Sequence, residues 1–234
     1  QRRVCYNEIE FANAVLKGGL RMLTAHGLAK RYNGQPVLHP AELAFAPGEA
    51  VGVAGANGSG KSTLLSILAQ AIAPDAGDIR EDGVSVLGSR RFLRQNVGYV
   101  PQQDSLVPEL TVRQQLACWQ SLTGRPVLHD RALMELLDLD ALLKKPVARL
   151  SGGMRKRVSF ALALAGMPRY LMMDEAFAAL DRDYRTRLEG WLHGYTAKGG
   201  TLLWCSHEPE ELRRLCSRVI TLDDGHIVSP SAGE

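Results

Sequence analysis

Long apolar segments are missing from this sequence. No run approaches the roughly 18 apolar residues that a helix needs to cross a bilayer. Arg2 and Arg3 stand near the beginning, but no continuous apolar stretch follows them, as it would in a secretory signal. We therefore expect neither a membrane-spanning segment nor a secretory signal in these 234 residues.

Cysteine is scarce, and its spacing favours neither disulfides nor zinc. The four cysteines form no Cys-x-x-Cys pair; they are Cys5, Cys118, Cys205 and Cys216. Scattered single cysteines are typical of proteins in a reducing compartment. We expect free thiols, most of them buried.

An excess of charge of one sign is also missing. The 28 Lys and Arg residues nearly balance the 25 Asp and Glu residues, so the formal charge is +3. Residues 1–21 hold four basic and two acidic side chains and so supply +2 of that total. A dedicated nucleic-acid binder would show a basic stripe. The near-neutral remainder predicts no nucleic-acid partner.

Glycine is concentrated in a phosphate-binding pattern. Residues 55–63 read Gly-Ala-Asn-Gly-Ser-Gly-Lys-Ser-Thr and match G-x-x-x-x-G-K-[ST] without a mismatch. Three glycines let the backbone wrap closely, so that its N–H groups face phosphate oxygens. Lys61 supplies a charge for the β- and γ-phosphates, and the hydroxyl of Ser62 can hold Mg²⁺.

The segments on either side of this loop fit the same interpretation. Ala50–Ala54 is a short apolar run, as expected of a buried strand, and residues 63–69 are compatible with a helix. The N-terminus of that helix would add a favourable dipole at the anion. The alternative, a chance glycine-rich turn, does not explain a strand before the loop and a helix after it.

Strands and helices alternate along the rest of the chain. Further strands are predicted at residues 22–29, 37–45, 78–79, 84–86, 97–100, 170–173, 201–205 and 219–222, and helical stretches at 111–143 and 150–167. This alternation predicts an α/β fold with a mostly parallel sheet. Within residues 1–21, apolar residues at helical spacing are followed by Gly18-Gly19, which would end such a helix. This segment forms either a docking helix or, as we favour, an extension outside the fold.

Two acidic residues follow one of these strands. Asp174 and Glu175 come directly after Tyr170–Met173. Because ligands in open α/β sheets sit at the carboxyl ends of strands, Asp174 is expected near the Mg²⁺ held by Ser62, and Glu175 near an attacking water. The alternative is a solvated turn, which the upstream phosphate loop disfavours.

A second glycine turn, Leu150-Ser151-Gly152-Gly153-Met154, precedes a helix predicted from residue 155. It can act as another anion cradle at a helix start, or Ser151 can be a simple N-cap. The order of the features favours the first interpretation. Along the chain come Tyr32, the phosphate loop, Gln102, Leu-Ser-Gly-Gly, Asp-Glu, Asp181 and His207.

From Met22 to Val228 this order resembles the nucleotide-binding domain of ATP-binding cassette (ABC) transporters. The resemblance implies a P-loop NTPase (RecA-like) core at residues 22–230, with an antiparallel β subdomain and a helical subdomain at about 104–155. It implies ATP and Mg²⁺ as cofactors and a dimer of nucleotide-binding subunits in the ATP-bound state.

The resemblance also implies roles for individual residues. Tyr32 is similar to the aromatic residue that stacks on adenine, and Leu180-Asp181 to the loop that communicates across the dimer. The implied ATP-binding residues are Tyr32, Gly55, Asn57, Gly58, Ser59, Gly60, Lys61, Ser62 and Thr63. The implied catalytic residues are Lys61, Gln102, Glu175 and His207, and the implied metal ligands are Ser62, Gln102 and Asp174. Ser151, Gly152 and Gly153 resemble the signature that contacts ATP on the opposite subunit.

Three positions depart from the family pattern. Met154 stands where Gln is most common, Ala176 where Pro is frequent, and Ala178 where Ser is often found. None of them removes a group that phosphoryl transfer needs, so we expect an active ATPase.

The resemblance implies an ATPase subunit that drives a separate transmembrane permease from the inner, cytoplasmic face of the membrane. The Leu-Ser-Gly-Gly-Met turn and the compact chain resemble cassettes of exporters. Two rival hypotheses are a soluble cassette acting on ribosomes or DNA, which usually carries tandem cassettes or coiled-coil insertions, and a non-catalytic regulatory binder. A single cassette disfavours the first rival, and the presence of Glu175 and His207 disfavours the second.

Overall fold

The computed structural model describes residues 21–228, so nearly all of the predicted N-terminal extension lies outside the described residues. Its strands are β1 Leu23–Tyr32, β2 Gln35–Phe45, β3 Ala50–Ala54, β4 Ala76–Glu81, β5 Val84–Ser85, β6 Val97–Val100, β7 Tyr170–Asp174, β8 Thr201–Cys205, β9 Arg218–Asp223 and β10 His226–Val228. Its helices are α1 Lys61–Leu68, α2 Arg90–Asn96, α3 Val112–Thr123, α4 Arg131–Leu136, α5 Gly152–Leu164, α6 Arg182–Ala197 and α7 Pro209–Leu215, with a 3₁₀ turn at Val147–Arg149.

The larger sheet has six strands in the order β10-β9-β3-β8-β7-β6. All its neighbouring strands pair in parallel except β10, which runs antiparallel to β9. β7 and β8 are buried along their whole lengths, which is why their sequences are continuous apolar runs rather than alternating ones. The predicted mostly parallel sheet is confirmed.

The register of this sheet aligns the carboxyl ends of its central strands. Val53, the last residue but one of β3, pairs with Cys205 of β8, which in turn pairs with Asp174 of β7. Val100 of β6 pairs with Met173. The loops that follow these four strands therefore leave the sheet at one edge.

A second, antiparallel sheet has the order β2-β1-β4-β5. Helix α1 lies between the two sheets, and its Leu64, Leu65, Ile67 and Leu68 are buried in the same apolar core as residues of both. This core explains the antiparallel β subdomain. It also fixes the helix that begins at the phosphate loop.

The other face of the large sheet is covered by the helices from α3 to α7. Phe177 and Trp204 meet edge to face there, with ring centroids 4.4 Å apart. Among the described residues, no helix combines the length and the apolar character needed to cross a membrane. Helices α3 and α4 lie in the stretch expected to form the helical subdomain, whose boundaries stay a prediction.

Several local expectations were wrong. Helix α5 begins at Gly152 rather than residue 155 and ends at Leu164, because Gly166 and Met167 both adopt positive φ, 69° and 49°. Helices α2, α6 and α7 and strand β10 were not predicted. α6 shows why, since in its 16 residues only Leu188, Leu192 and Tyr195 are buried, too few to make an apolar stripe stand out.

Helix α5 lies directly on β6 because residue 98 has no side chain. A Cβ at Gly98 would lie 2.3 Å from the carbonyl oxygen of Ala163 and 2.8 Å from Cγ of Pro168. We expect Gly98→Ala to lower the free energy of unfolding by about 1–3 kcal/mol, the usual cost of overpacking. Chemical denaturation monitored by circular dichroism measures it.

Gly190, in the exposed middle of α6, is the matched control. No atom lies within 4 Å of a Cβ placed there, so Gly190→Ala should raise the free energy of unfolding by about 0.5–1 kcal/mol through helix propensity. Equal effects of the two substitutions would contradict the packing argument.

Candidate functional site

The phosphate loop is held in shape by its neighbours in the fold. Gly55 and Gly60 have φ angles of 150° and 100°, which side chains rarely adopt. A Cβ at Gly55 would lie 2.3 Å from the carbonyl oxygen of Leu222, and one at Gly60 would lie 2.6 Å from that of Val37. Two glycines of the pattern are therefore required by packing, in addition to any need for close approach to a phosphate.

Lys61 is the first residue of α1, and it is buried. Its Nζ donates to the carbonyl oxygens of Gly55 and Ala56 at 2.9 and 2.8 Å. The ammonium group thus lies across the loop at the positive end of a helix. Charge and dipole together make this position suited to an anion.

A cavity of about 320 Å³ opens at this loop. Lys61, Ser62, Thr63, Asn57, Gly58, Gly60, Gln102, Glu175 and Val37 line it. An adjoining cavity of about 340 Å³ is lined by Asn57, Gln102, Lys156, Glu175, Ala178, Ala179 and His207. The structure therefore brings together at one sheet edge most of the residues that the sequence predicted for the site.

Asp174 is 1% exposed, and its Oδ1 has no hydrogen-bond partner among the described residues. A buried carboxylate oxygen without a partner is costly unless a ligand supplies one. A carboxylate, a hydroxyl and an amide oxygen, from Asp174, Ser62 and Gln102, form the oxygen-only donor set that Mg²⁺ prefers. The residues present fit this ion.

The Asp174 charge also acts on its neighbour in β8. Burial, and then the charges of Asp174 and Glu175, raise the pKa of the Cys205 thiol. Cys205 therefore stays a neutral, buried thiol. It is the only fully buried one of the three described cysteines, so the expectation that most are buried was wrong: Cys216 is half-buried. Cys118 differs, because it is exposed on α3.

Glu175 and His207 form a close pair. The Nδ1 of His207 lies 2.5 Å from Oε2 of Glu175. The backbone of Glu175 has a φ of 48°, and its N–H donates to the carbonyl oxygen of Cys205 at 3.0 Å. A non-glycine residue in this region costs about 1–3 kcal/mol, and such strain is concentrated at functional sites. The turn aims the carboxylate at the two cavities.

The loop that carries His207 is fixed by hydrogen bonds to Ser206 and to Glu211 of α7. Ser206 donates its hydroxyl to Oε2 of Glu211 at 2.7 Å, and the N–H of Glu208 donates to Ser206 Oγ at 3.0 Å. Glu211 is buried, and desolvation raises the pKa of its carboxyl group. Glu211 was not predicted from the sequence, because its role depends on how α7 packs.

Several predicted site residues line neither cavity: Gly55, Ser59 and Asp174 lie beside the two cavities, and Tyr32 and the Ser151–Gly153 turn lie elsewhere. Ser151 caps α5 by accepting a hydrogen bond from the N–H of Met154 at 3.2 Å, so the N-cap interpretation describes its contact within this chain. A Cβ at Gly153 would lie 2.8 Å from the carbonyl oxygen of Ala179, so the turn packs against the loop that follows Glu175. Tyr32 lies at the end of β1 with 46% of its surface exposed.

Comparison with known proteins identifies the family. The model of the ABC transporter family matches residues 38–178, more than half of the chain. This chain belongs to the ABC transporter family. The order of motifs and the geometry of the sheet edge agree with that membership, and the chain is an ATP-binding ATPase domain of this family.

Curated relatives cover most of this chain. It is 37% identical over 207 residues to the Nod factor export ATP-binding protein I of Paraburkholderia xenovorans, covering 87% of this chain and 68% of the relative. It is 38% identical over 224 residues to the methionine import ATP-binding protein MetN of Caulobacter vibrioides, covering 91% and 68%. For the Nod factor export ATP-binding protein I of Rhizobium etli the identity is 35%, covering 86% and 65%. The chain thus spans about two thirds of the length of these relatives.

Solved structures share the fold. An ATP-binding subunit of an ABC transporter superposes with a TM-score of 0.79 at 26% identity, covering 89% of this chain and 88% of that one. The dimeric structure of a bacterial ABC transporter cassette gives a TM-score of 0.78 at 24% identity, covering 88% and 97%. These similarities confirm the P-loop NTPase fold.

Lys61 provides a test of the ATP site. We expect Lys61→Ala to weaken ATP binding at least 10-fold, because a hydrogen bond to a charged group contributes about 1.5–3 kcal/mol. Isothermal calorimetry with ATP measures the affinity. Lys198→Ala, at the exposed end of α6, is the control and should bind normally. Unchanged affinity in Lys61→Ala would contradict the assignment of this loop.

Proposed function

We propose that this domain hydrolyses Mg-ATP to energise a separate transmembrane permease, from the inner face of the cell membrane. The observation that carries the proposal is the meeting at one sheet edge of the phosphate loop, Gln102, the Glu175–His207 pair and Asp174 at the end of β7. Relatives named as ATP-binding proteins for export and import support the coupling to transport.

The phosphates of ATP would lie at the N-terminus of α1. Lys61 would leave the carbonyl oxygens of Gly55 and Ala56 and turn toward the β- and γ-phosphates, since these two carbonyls are weaker partners than a phosphate. Ser62, Asp174 and Gln102 would hold Mg²⁺, which supplies charge neutralisation at the phosphate oxygens. Tyr32, with its exposed ring, would stack on the base.

Glu175 is the group proposed to activate water. Its carboxylate faces the cavity beside Gln102, where it can accept a proton from a water that the Gln102 amide orients. His207 holds this carboxylate through Nδ1. The resemblance to the family implies that His207 would also contact the γ-phosphate.

The position of the Ser151 turn supports a site shared between two copies. Ser151 is exposed, lies at the N-terminus of the 13-residue helix α5, and lines neither cavity. Ser151, Gly152 and Gly153 would therefore contact the ATP of a second copy. The dimer reported for a bacterial cassette of the same fold supports this arrangement.

A third concavity, the groove, is proposed to receive the permease. It has a volume of about 390 Å³ and is lined by residues of α2, α3 and the loop after β6, including Leu93, Trp119, Ser105 and Leu106. Leu106 lies half-buried in it, and Val107 beside it is 43% exposed. An apolar groove continuous with the Gln102 loop would connect the permease to the water side of the site.

The direction of transport rests on the resemblance of the Leu-Ser-Gly-Gly-Met turn to cassettes of exporters. We include export in the proposal on that ground. Relatives named for export and for import share similar identities with this chain, 37% and 38%, so overall identity does not separate the two directions.

Glu175→Gln tests the catalytic assignment. The amide keeps the shape of the carboxylate but removes the negative charge, so ATP should bind while phosphate release falls about 10²–10⁴-fold. Loss of repulsion against the γ-phosphate should also let ATP hold the variant as a dimer. A phosphate-release assay and size exclusion with light scattering, with and without Mg-ATP, measure both effects.

Glu210→Gln is the matched control, because Glu210 is 71% exposed and pairs with Arg213 on the surface of α7. It should hydrolyse ATP normally. A Glu175→Gln protein that keeps near-normal turnover would overturn the role of Glu175. One that stops turnover but stays monomeric with ATP would overturn the shared site.

The docking proposal is tested with a photo-crosslinking amino acid at Ser105, in the groove, and separately at Asp223, exposed at the end of β9. Mass spectrometry of the products formed in cells should find an integral membrane protein joined at Ser105. Crosslinks to such a protein from Asp223 but not from Ser105 would contradict the proposed docking surface.

A further inference from the structure

Lys156 is a buried cation at the contact between helix α5 and the Gln102 loop. Its side chain is 4% exposed. Nζ donates to the carbonyl oxygens of Pro101 and Gln102 at 2.9 and 3.1 Å. It also lies 3.2 Å from Oδ1 of Asp104, out of line for a hydrogen bond, so that contact is an ion pair.

The partners of Lys156 lie on the loop that connects the catalytic cavity with the groove. Pro101 and Gln102 follow β6 directly, and Gln102 lines both cavities of the ATP site. Two residues beyond Gln102 is Asp104, and the chain then continues into the groove at Ser105 and Leu106. Lys156 therefore holds the main chain at the point where the loop passes from the catalytic cavity to the groove.

Lys156 lies on a helix that is itself packed firmly in the fold. The lysine is the fifth residue of α5, just over one turn from the start of the helix, and α5 packs on β6 through Gly98. A buried ammonium is stable only with its hydrogen bonds and counter-charge in place. The three contacts with Pro101, Gln102 and Asp104 supply that need, so the loop and the lysine fix each other.

We propose that Lys156 is a positioning residue for ATP hydrolysis: by binding the main chain at Gln102 and the carboxylate of Asp104, it sets the direction in which the Gln102 side chain meets water and metal. Lys156 itself lines the adjoining cavity, and its ammonium group is directed to the main chain and to Asp104. This inference rests on the proposed role of Gln102. It implies that a movement of the loop after β6, which lines the groove, would change the position of Gln102 through Lys156.

The test is a double-mutant cycle on the full chain. Lys156→Met keeps the length of the unbranched side chain and removes the charge and the donors. We expect its kcat for Mg-ATP hydrolysis to fall roughly 10- to 100-fold, as misplacement of a reacting group does, with KM and ATP affinity within about twofold. In a Gln102→Ala background, Lys156→Met should cause no further loss, because its effect passes through the Gln102 side chain.

Lys144→Met, at an exposed position between α4 and α5, removes the same charge and should leave kcat unchanged. Lys156→Gln keeps an amide donor; should Lys156→Met not fold, as judged by thermal unfolding, Lys156→Gln enters the cycle instead. If Lys156 only stabilised the fold, Lys156→Met would lower ATP affinity and kcat together. Its loss in kcat would also multiply with the loss caused by Gln102→Ala. Either result would overturn the inference.

The possible failures are distinguishable. Near-normal kcat in Gln102→Ala alone contradicts the proposed function of Gln102 and, with it, this inference. Slow turnover in Gln102→Ala together with normal turnover in Lys156→Met contradicts the role of Lys156 alone.

Discussion

The parallel register of four central strands is the constraint on which the site depends. Because β3, β8 and β7 pair so that Val53, Cys205 and Asp174 lie level, and β6 pairs so that Val100 lies level with Met173, four separate loops begin at the same edge. No loop contains a complete site. The phosphate loop provides the anion cradle, and the other three provide an amide, two carboxylates and an imidazole. Each group is held by a short backbone segment attached to a buried strand, so its freedom is limited before any ligand binds.

Two apolar cores maintain that register from opposite faces of the sheet. One places α1 between the two sheets, so that the helix carrying Lys61 has little room to shift. The other packs α5 against β6 and surrounds Trp204 and Phe177. The polar groups of the site lie at the sheet edge, outside both cores. Asp174 is the exception, and its unpartnered Oδ1 is the kind of buried oxygen that a metal ion satisfies.

The sequence predicted the parts of the fold whose signal is local. The buried strands β3, β7 and β8 are continuous apolar runs, and the phosphate loop has a fixed spacing that its packing requires, so both were placed correctly. Helices α2, α6 and α7 were missed because their apolar stripes are short or narrow. Lys156 and Glu211 could not be found in advance, since each acts on a partner that only the tertiary structure brings near. The same limit applies to the Ser151 turn, whose predicted partner is another copy of the chain.

Helix α5 has a mechanical consequence. Its first residues form the turn proposed to contact the ATP of a second copy. Lys156 in its second turn holds the Gln102 loop of its own copy, and Ala163 near its end is in contact with Gly98 of β6. In the proposed dimer, one rigid helix would thus contribute to two different active sites. A small rotation of α5 would change both sites at once. It would alter the contact of the Ser151 turn with one nucleotide and the position of Gln102, and so of the attacking water, at the other. In a dimer arranged in this way, the two ATP sites would be coupled to each other through α5 without any additional structural element.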